Sequence, residues 1–309
     1  MNRIRLSLTG GFLLLAGVAF LRTSPDAQVN TTRDIAKGVW FLEGDLSKGL
    51  CNNTIIEMKD YLVVIDANYP TGARLAMDAA KKLSPKPVKY VFDTHHHGDH
   101  AYGNAVWTAS GARTMAYQGV ADELKRYEPG RWKKETREDV KALNKDTAEP
   151  PQETFTKSPF ILKDETREIA FYHFGWAHTR GDGFAWLPKE RVMASGDAAV
   201  NGPYNYTADG NIGNWPVVTA AAAKLNPQFV LPGHGPSGGI EILDGQGRFF
   251  TELKKAVEAE IKAGKKVDQV SVNLPDSVKN WVGDGFKQQV KDTYNELTQK
   301  KPVGAIPHP

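Results

Sequence analysis

The chain has 309 residues, and its 39 Lys and Arg residues nearly balance its 36 Asp and Glu residues, which leaves a formal net charge of +3. This length allows one large domain or two, with a sizeable hydrophobic core. The composition is that of an ordinary globular protein and argues against a disordered or fibrous chain. The single cysteine, Cys51, excludes an internal disulfide bond.

Residues 1–28 are predicted to lie outside the folded domain, which spans 29–309. Arg3 and Arg5 precede an apolar stretch over 6–21, and polar residues follow it. This order is typical of a secretory signal peptide, and the stretch is short for a stable membrane span. The cleavage site is ambiguous, so an uncleaved N-terminal anchor stays open. We expect an exported protein, periplasmic or secreted, that contacts a membrane only through this segment.

The positive charge also belongs to this leader. Removing residues through Ser24 takes away Arg3, Arg5 and Arg22, and the formal charge falls from +3 to 0. A nucleic-acid partner therefore gains no support. The sequence does not indicate an oligomeric state.

The first part of the body predicts alternating strands and helices. Strand-like runs occupy 39–42, 54–58 and 61–65, and apolar residues at helical spacing predict a helix over 71–83. Cys51 precedes the second strand. We interpret it as a small buried residue rather than a thiolate ligand or nucleophile, because no second cysteine accompanies it.

A cluster of histidines follows the next predicted strand, over 88–92. In an extended segment side chains alternate, so His95, His97 and Asp99 would point to one side, and Gly98 lets the chain bend so that His100 joins them. Buried imidazoles and carboxylates are costly unless they are paired or bind a metal. The stretch therefore predicts a metal site, and it reads Thr94-His95-His96-His97-Gly98-Asp99-His100.

Dense charges of both signs mark residues 122–154. We favour a solvated helical excursion with ion pairs one turn apart. The alternative is a lid over the site, with Tyr127 or Trp132 contacting the substrate.

Three more strand ends carry ligand-type residues. His178 follows the strand over 167–174 beside glycine, Asp197 follows 191–194, and His234 follows 229–231. His173 lies within its strand and is interpreted as an ordinary side chain. Beyond residue 240 the chain predicts helices, one with an apolar stripe over 249–261 and a second over 276–297, both without chemistry of their own.

The motif His95-x-His97-x-Asp99-His100 resembles the signature of the metallo-β-lactamase fold superfamily, and its longer form is similar to the glyoxalase II-like and lactonase-like branches. The later motifs at His178, Asp197 and His234 occur in the family's order, so the resemblance covers about 35–240. It implies an α/β fold, a four-layer αββα sandwich, to which the C-terminal helices over 241–309 are added.

The resemblance also implies two metal sites. The first would be held by His95, His97 and His178, and the second by Asp99, His100 and His234, with Asp197 bridging both metals. Such nitrogen and oxygen ligands suit Zn²⁺, although Mn or Fe would also fit. At the end of the third strand, Asp66 would either cap the turn or support the metal-binding loop from behind.

The implied reaction is hydrolysis by a hydroxide shared between two metals, with Asp99 orienting it and taking up its proton. The implied substrate is a small molecule with a carbonyl ester, lactone, thioester or β-lactam-like bond. A phosphodiesterase using the same site is one alternative, and a non-catalytic periplasmic accessory metal-binding protein is another. Tyr204 or Tyr206 would donate to a developing oxyanion, and the aromatic residues expected at the mouth of the site are Tyr69, Trp107, Trp176, Tyr204, Tyr206 and Trp215.

Differences between this sequence and other branches of the superfamily restrict which branch the chain resembles. Di-iron members place a carboxylate where His97 stands, and true zinc β-lactamases lack an aspartate at the position of Asp197. The nucleic-acid-processing branch usually carries large additional elements, and the basic C-terminal region of glyoxalase II proper has no clear match.

Overall fold

The computed structural model describes residues 30–306 of the chain. The predicted leader over 1–28 therefore lies outside the described residues. Within the described part, no helix is both long and apolar enough to cross a membrane. The strands are β1 Thr32–Ala36, β2 Val39–Leu42, β3 Asn53–Glu57, β4 Leu62–Ile65, β5 Val88–Asp93, β6 Arg113–Tyr117, β7 Glu153–Phe155, β8 Phe160–Lys163, β9 Glu168–Tyr172, β10 Phe184–Leu187, β11 Val192–Gly196 and β12 Phe229–Pro232. The α-helices are α1 Pro70–Leu83, α2 Gly98–Ala101, α3 Asn104–Ala109, α4 Gln118–Lys134, α5 Glu138–Lys141, α6 Trp215–Ala223, α7 Glu241–Lys262 and α8 Phe286–Gln299.

The strands form two sheets. The first has β1 to β7 in sequence order, antiparallel from β1 to β4 and parallel from β4 to β7. The second has the order β12-β11-β10-β9-β8, in which β11 and β12 are parallel and the other pairs antiparallel. The chain thus leaves the first sheet after β7 and builds the second in reverse order.

Alternation along the strands explains how the sheets stack. In β4, Val63 and Ile65 contribute to the core between the sheets, where Phe92 of β5 meets Phe171 of β9. Leu62 and Val64 face the other way and pack with helices α1 and α3. A strand buried on both faces needs an unbroken apolar run, and β4 has one.

The outer face of the second sheet is covered by α6, α7 and the C-terminal segment. The predicted apolar stripe of α7 is buried there, and Phe250 stacks on Trp215 with ring centroids 4.1 Å apart. Burying side chains of this size contributes about 1.5–3 kcal/mol each. With α1 and α3 on the opposite face, the layers follow the order αββα, which confirms the predicted fold class.

The predicted helix over 276–297 is wrong as one element. A short 3-10 helix, Asp276–Trp281, and helix α8 occupy this stretch instead. Gly283 and Gly285 lie between them, and glycine is among the weakest helix formers, so a single continuous helix is disfavoured at this point.

Candidate metal centre

The ends of β5, β9, β11 and β12 bring the candidate ligands to one edge of the two sheets. The histidine cluster follows β5 and continues into α2, and His178 lies in the loop after β9. Asp197 follows β11 directly, and His234 follows β12 by one residue. Loops at strand ends are the usual place for a site in α/β folds.

Three imidazoles form the first ligand group. His97 Nδ1 lies 3.1 Å from His95 Nε2 and 2.8 Å from His178 Nε2. Three ring nitrogens that converge in this way form a donor set suited to one metal ion.

Asp99, His100 and His234 form the second group. His234 Nε2 lies 2.9 Å from Asp99 Oδ2, and His100 Nε2 lies 3.5 Å from the same oxygen. These three residues also bring one ligand atom each within 4.8 Å of one another.

Asp197 lies between the two groups. Its Oδ2 is 3.7 Å from His178 Nε2 and 3.5 Å from His234 Nε2, while its Oδ1 is 3.4 Å from His100 Nε2. Among the described residues, neither Asp197 Oδ1 nor His100 Nε2 has a hydrogen-bond partner, although both are buried. Unpartnered buried donor and acceptor atoms that face a common point fit metal binding. The structure thus brings all seven predicted ligands together.

The charge states of two imidazoles in the first ligand group also suit metal binding. Burial and the neighbouring His97 lower the pKa of His178 to about 3, and burial lowers the pKa of His95 well below its usual value, so both are neutral, as metal ligands must be. Burial alone would raise the pKa of Asp197, but His234 and His100 hold it well below its usual range. A bridging position for this carboxylate is therefore electrostatically reasonable.

Asp66 supports the histidine cluster from behind. Its Oδ1 accepts hydrogen bonds from the Thr94 amide and hydroxyl, both 2.8 Å, and its Oδ2 lies 2.9 Å from His100 Nδ1. This contact leaves Nε2 of His100 directed at the ligand group. Of the two interpretations of Asp66, support of the metal-binding loop agrees with these contacts.

Asp182 holds the turn that carries His178, and this role was not predicted from the sequence. Its carboxylate accepts the amides of Ala177, His178 and Thr179 at 2.7–3.1 Å and the Thr179 hydroxyl at 2.7 Å. The ring of His178 is then oriented by its Nδ1, 3.0 Å from the Tyr206 carbonyl oxygen. An aspartate between two glycines, four residues after a candidate ligand, was a usable signal for this turn.

Glycine is required where backbones approach the bridge. Gly196 has φ +49°, and a Cβ there would collide with the Thr94 side chain. A Cβ on Gly233 would collide with the Asp197 carboxylate. Close packing around Asp197 therefore depends on both glycines.

A cavity of about 460 Å³ opens over the ligands, and it is walled by tyrosines and charged side chains. Of the aromatic residues expected there, Tyr69, Tyr204 and Tyr206 line it, and Tyr102 joins them. The expectation is wrong for Trp107 and Trp215, which are fully buried and donate to the carbonyls of Ala67 and Ala198. Trp176 is half-buried and donates to the Asp209 carbonyl, outside the cavity lining.

Two further single residues agree with their structural interpretations. Cys51 is buried, and burial raises the pKa of its thiol to about 12, so it is uncharged at neutral pH. It nevertheless lies near Asp66 and His100. His173 stacks on Tyr117 with ring centroids 4.0 Å apart and contributes nothing to the ligand groups.

The charged segment over 122–154 does more than cover the surface. The end of α4 borders the cavity through Arg131 and Lys134, followed by Glu135. This position agrees with a lid over the site. Tyr127 and Trp132, however, pack on His96 and Tyr102 and do not line the cavity, so the structure does not place them against a substrate.

The loop over 201–214, which we term the tyrosine loop, is held by one face of α8. Gln289 Nε2 donates to the Asn205 carbonyl, and Asp292 accepts the Thr207 hydroxyl at 2.6 Å. Glu296 accepts the amides of Ile212 and Gly213. The C-terminal region, expected to be only core, therefore positions the loop that carries Tyr204 and Tyr206.

Comparisons with known proteins agree with this fold. The family model described as "Metallo-beta-lactamase superfamily" matches residues 46–234. Solved structures of metallo-beta-lactamases are also similar to the chain, and two of them serve as examples. A metallo-beta-lactamase from Pontibacter korlensis has a TM-score of 0.59 and 18% identity, over 72% of this chain and 98% of that one. One from Hirschia baltica has a TM-score of 0.59 and 20% identity, over 71% of this chain and 97% of that one.

A curated relative named 2,4-dinitroanisole O-demethylase subunit alpha, from Nocardioides sp. (strain JS1661), is 23% identical over 207 residues. The match covers 66% of this chain and 57% of that protein.

Proposed function

Because the chain belongs to the metallo-β-lactamase superfamily, whose members are typically zinc-dependent hydrolases, we propose that it is an exported, dinuclear metal-dependent hydrolase. Its substrates would be small molecules with a carbonyl ester, lactone, thioester or β-lactam-like bond. The export part of the proposal is supported by the sequence of residues 1–28.

The convergence of seven donor residues from four strand ends carries the proposal. His95, His97 and His178 form one group, Asp99, His100 and His234 form the other, and Asp197 approaches both. Assembling so many buried imidazoles and carboxylates is costly unless cations compensate them. Two zinc ions are our assignment, and Mn or Fe would suit the same ligands.

When bound, two metal ions would lower the pKa of a water molecule and polarise the oxygen of the scissile group. The remaining catalytic roles would belong to side chains of the protein. Asp99 is partly exposed to the cavity and is ionised, because His100 and His234 hold its pKa low, so its carboxylate can accept a hydrogen bond from the attacking water and orient it. Tyr204 and Tyr206 reach the cavity and can donate to a developing oxyanion.

The charges of the cavity favour a carbonyl substrate over a phosphodiester. Of the three carboxylates in its lining, Asp99 and Asp197 belong to the metal ligands, whereas Glu135 does not. Of the two basic residues in that lining, Arg131 is paired with Asp209, 2.6 Å away. A site built for a phosphate would present more unpaired donors.

Parallel assays of the metal-loaded protein test the proposal. The substrates are a homoserine lactone, a chromogenic cephalosporin, a thioester and a nitrophenyl phosphodiester, each with and without a chelator. We expect turnover of a carbonyl substrate that is lost on chelation. Dominant turnover of the phosphodiester would make the phosphodiesterase alternative correct, and no turnover with two metals bound would favour a non-catalytic accessory protein.

The cavity's four tyrosine rings suit a planar aromatic substrate, and the relative from Nocardioides is named for an O-demethylase of 2,4-dinitroanisole. Hydrolysis of an activated aryl ether is thus a second candidate function. Adding 2,4-dinitroanisole to the assays tests it directly. Release of dinitrophenol with no carbonyl turnover would favour this candidate.

A further inference from the structure

A buried carboxylate outside the predicted ligand set contacts the first ligand group. Asp209 is fully buried in the tyrosine loop, and its Oδ2 lies 2.7 Å from His97 Nε2. The same oxygen lies 2.6 Å from an Arg131 nitrogen of α4 and 3.5 Å from His96 Nε2. Asp209 thus joins the histidine cluster, α4 and the tyrosine loop at one atom.

The two nitrogens of His97 have different partners. Nδ1 faces His95 and His178, at 3.1 and 2.8 Å, whereas Nε2 faces Asp209. A proton on Nε2 that is donated to the carboxylate leaves the Nδ1 lone pair directed at the ligand group. A carboxylate behind a ligating histidine fixes its tautomer and ring orientation and increases its basicity.

We propose that Asp209 is a positioning residue that fixes His97 as an Nδ1 ligand and so raises the affinity of the first metal site. The inference rests on the proposed dinuclear centre. Asp209 does not touch the substrate or the reacting atoms. It acts through His97 alone.

The geometry distinguishes this role from a simple ion pair with Arg131. A guanidinium that pairs only with a carboxylate commonly donates to both oxygens. Here Arg131 directs one nitrogen to Asp209 Oδ2 and the other to His96 Nε2, 3.0 Å away. Asp209 Oδ1, also buried, has no hydrogen-bond partner within residues 30–306. The carboxylate is therefore turned so that one oxygen serves His97 and Arg131 together.

The test measures zinc affinity by competition with a chromophoric chelator, for the full chain and three variants. Asp209→Asn keeps the shape of the side chain but removes its negative charge. We expect it to weaken zinc binding at the site that contains His97 by about 10- to 100-fold. Arg131→Gln removes the ion pair but keeps the His97 contact. Asp292→Asn removes another buried carboxylate that holds the same loop through Thr207. We expect both of these variants to weaken zinc binding by less than the roughly 10-fold lower bound typical of a residue that supports a ligand.

Equal weakening by Arg131→Gln or Asp292→Asn would overturn the proposal, because the ion pair or the loop would then account for the effect. Unchanged affinity in Asp209→Asn, with two metals bound, would also overturn it while leaving the metal centre intact. If the wild type binds no zinc, the proposed function itself fails.

A measurement on the wild type keeps the test valid if Asp209→Asn does not fold. Nitrogen-15 NMR of the histidine rings in the zinc-loaded protein identifies which nitrogen carries the proton. We expect a proton on His97 Nε2, protected from exchange by its hydrogen bond. A proton on Nδ1 of His97 would overturn the inference.

Discussion

The site has two parts that differ in how the chain builds them. The candidate ligands lie at or shortly after strand ends, where the sheets place their backbone and buried carboxylates such as Asp66 and Asp182 hold them in place. The tyrosine loop, over 201–214, has no regular structure and depends on hydrogen bonds from Gln289, Asp292 and Glu296 of α8. The first part provides the donors for the chemistry, whereas the second borders the substrate cavity. We therefore expect mutations of the ligands to affect metal content, and mutations of the loop tyrosines or of the α8 residues that hold the loop to affect substrate binding. Asp209 is the residue of the loop for which we expect an effect on metal binding instead.

The largest effect is expected at Asp197. Asp197→Asn should lose affinity for one metal, because a neutral amide bridges two cations poorly. Turnover should fall by more than the roughly 10- to 100-fold typical of residues that only support a ligand. Metal content, turnover and far-UV circular dichroism of the variant check this. If two metals and near-normal turnover remained, Asp197 would be only a structural turn residue.

A smaller effect is expected from the tyrosine hydroxyls. Tyr204→Phe and Tyr206→Phe should each lower kcat by up to about tenfold if the hydroxyl donates in the transition state, since one hydrogen bond contributes about 1 kcal/mol. Both variants should keep their metals, since no ligand is altered. Steady-state kinetics separate the outcomes. An increase in KM with kcat unchanged would show that the ring only binds substrate, contrary to a catalytic role.

A still smaller effect should follow from loosening the tyrosine loop at a distance. Gln289→Ala removes the hydrogen bond to the Asn205 carbonyl, 2.8 Å long and buried. We expect KM to rise about fivefold, in line with an interaction of about 1 kcal/mol, while metal content stays at the wild-type value. Thr298→Ala, on the exposed end of the same helix, is the matched control. Loss of metal in Gln289→Ala would contradict the separation of the two parts.

How much of this could be predicted from the sequence also differs between the two parts. The cluster 94–100 is contiguous, and Asp197 and His234 each follow a short apolar strand beside glycine, so a local pattern was enough. The residues that support the ligands and the tyrosine loop could not be found from a local sequence pattern. His97 and Asp209 are 112 residues apart, and Thr207 and Asp292 are 85 apart, so only the packing of the layers reveals these pairs. The prediction that Trp107 and Trp215 lie at the mouth of the site was wrong for the same reason, because burial is a property of the folded chain.

A last expected effect concerns the stability of the fold rather than turnover, and it arises in helix α4. Glu128 is buried against Tyr102, and burial raises its pKa to about 7 from 4.5. The folded state then keeps a proton that the unfolded chain has lost between about pH 4.5 and 7, so this stabilisation is lost as pH rises across that window.

Glu128→Gln removes this titration. Between pH 5 and 8 the free energy of unfolding should fall in the wild type relative to the variant, by at most about 3 kcal/mol. Urea unfolding at both pH values measures the difference. Parallel pH profiles for the two proteins would show that Glu128 is ionised in the folded state at pH 5.

The central claim is that seven residues from four strand ends hold two metal ions. Counting the metal bound per chain by mass spectrometry, before and after chelation and reloading with zinc, tests it most directly. We expect about two metals per chain in the wild type and fewer than two in Asp197→Asn, with hydrolysis lost and regained together with the metal. A folded protein that binds no metal after reloading, or one that hydrolyses its substrate equally well without metal, would contradict the account.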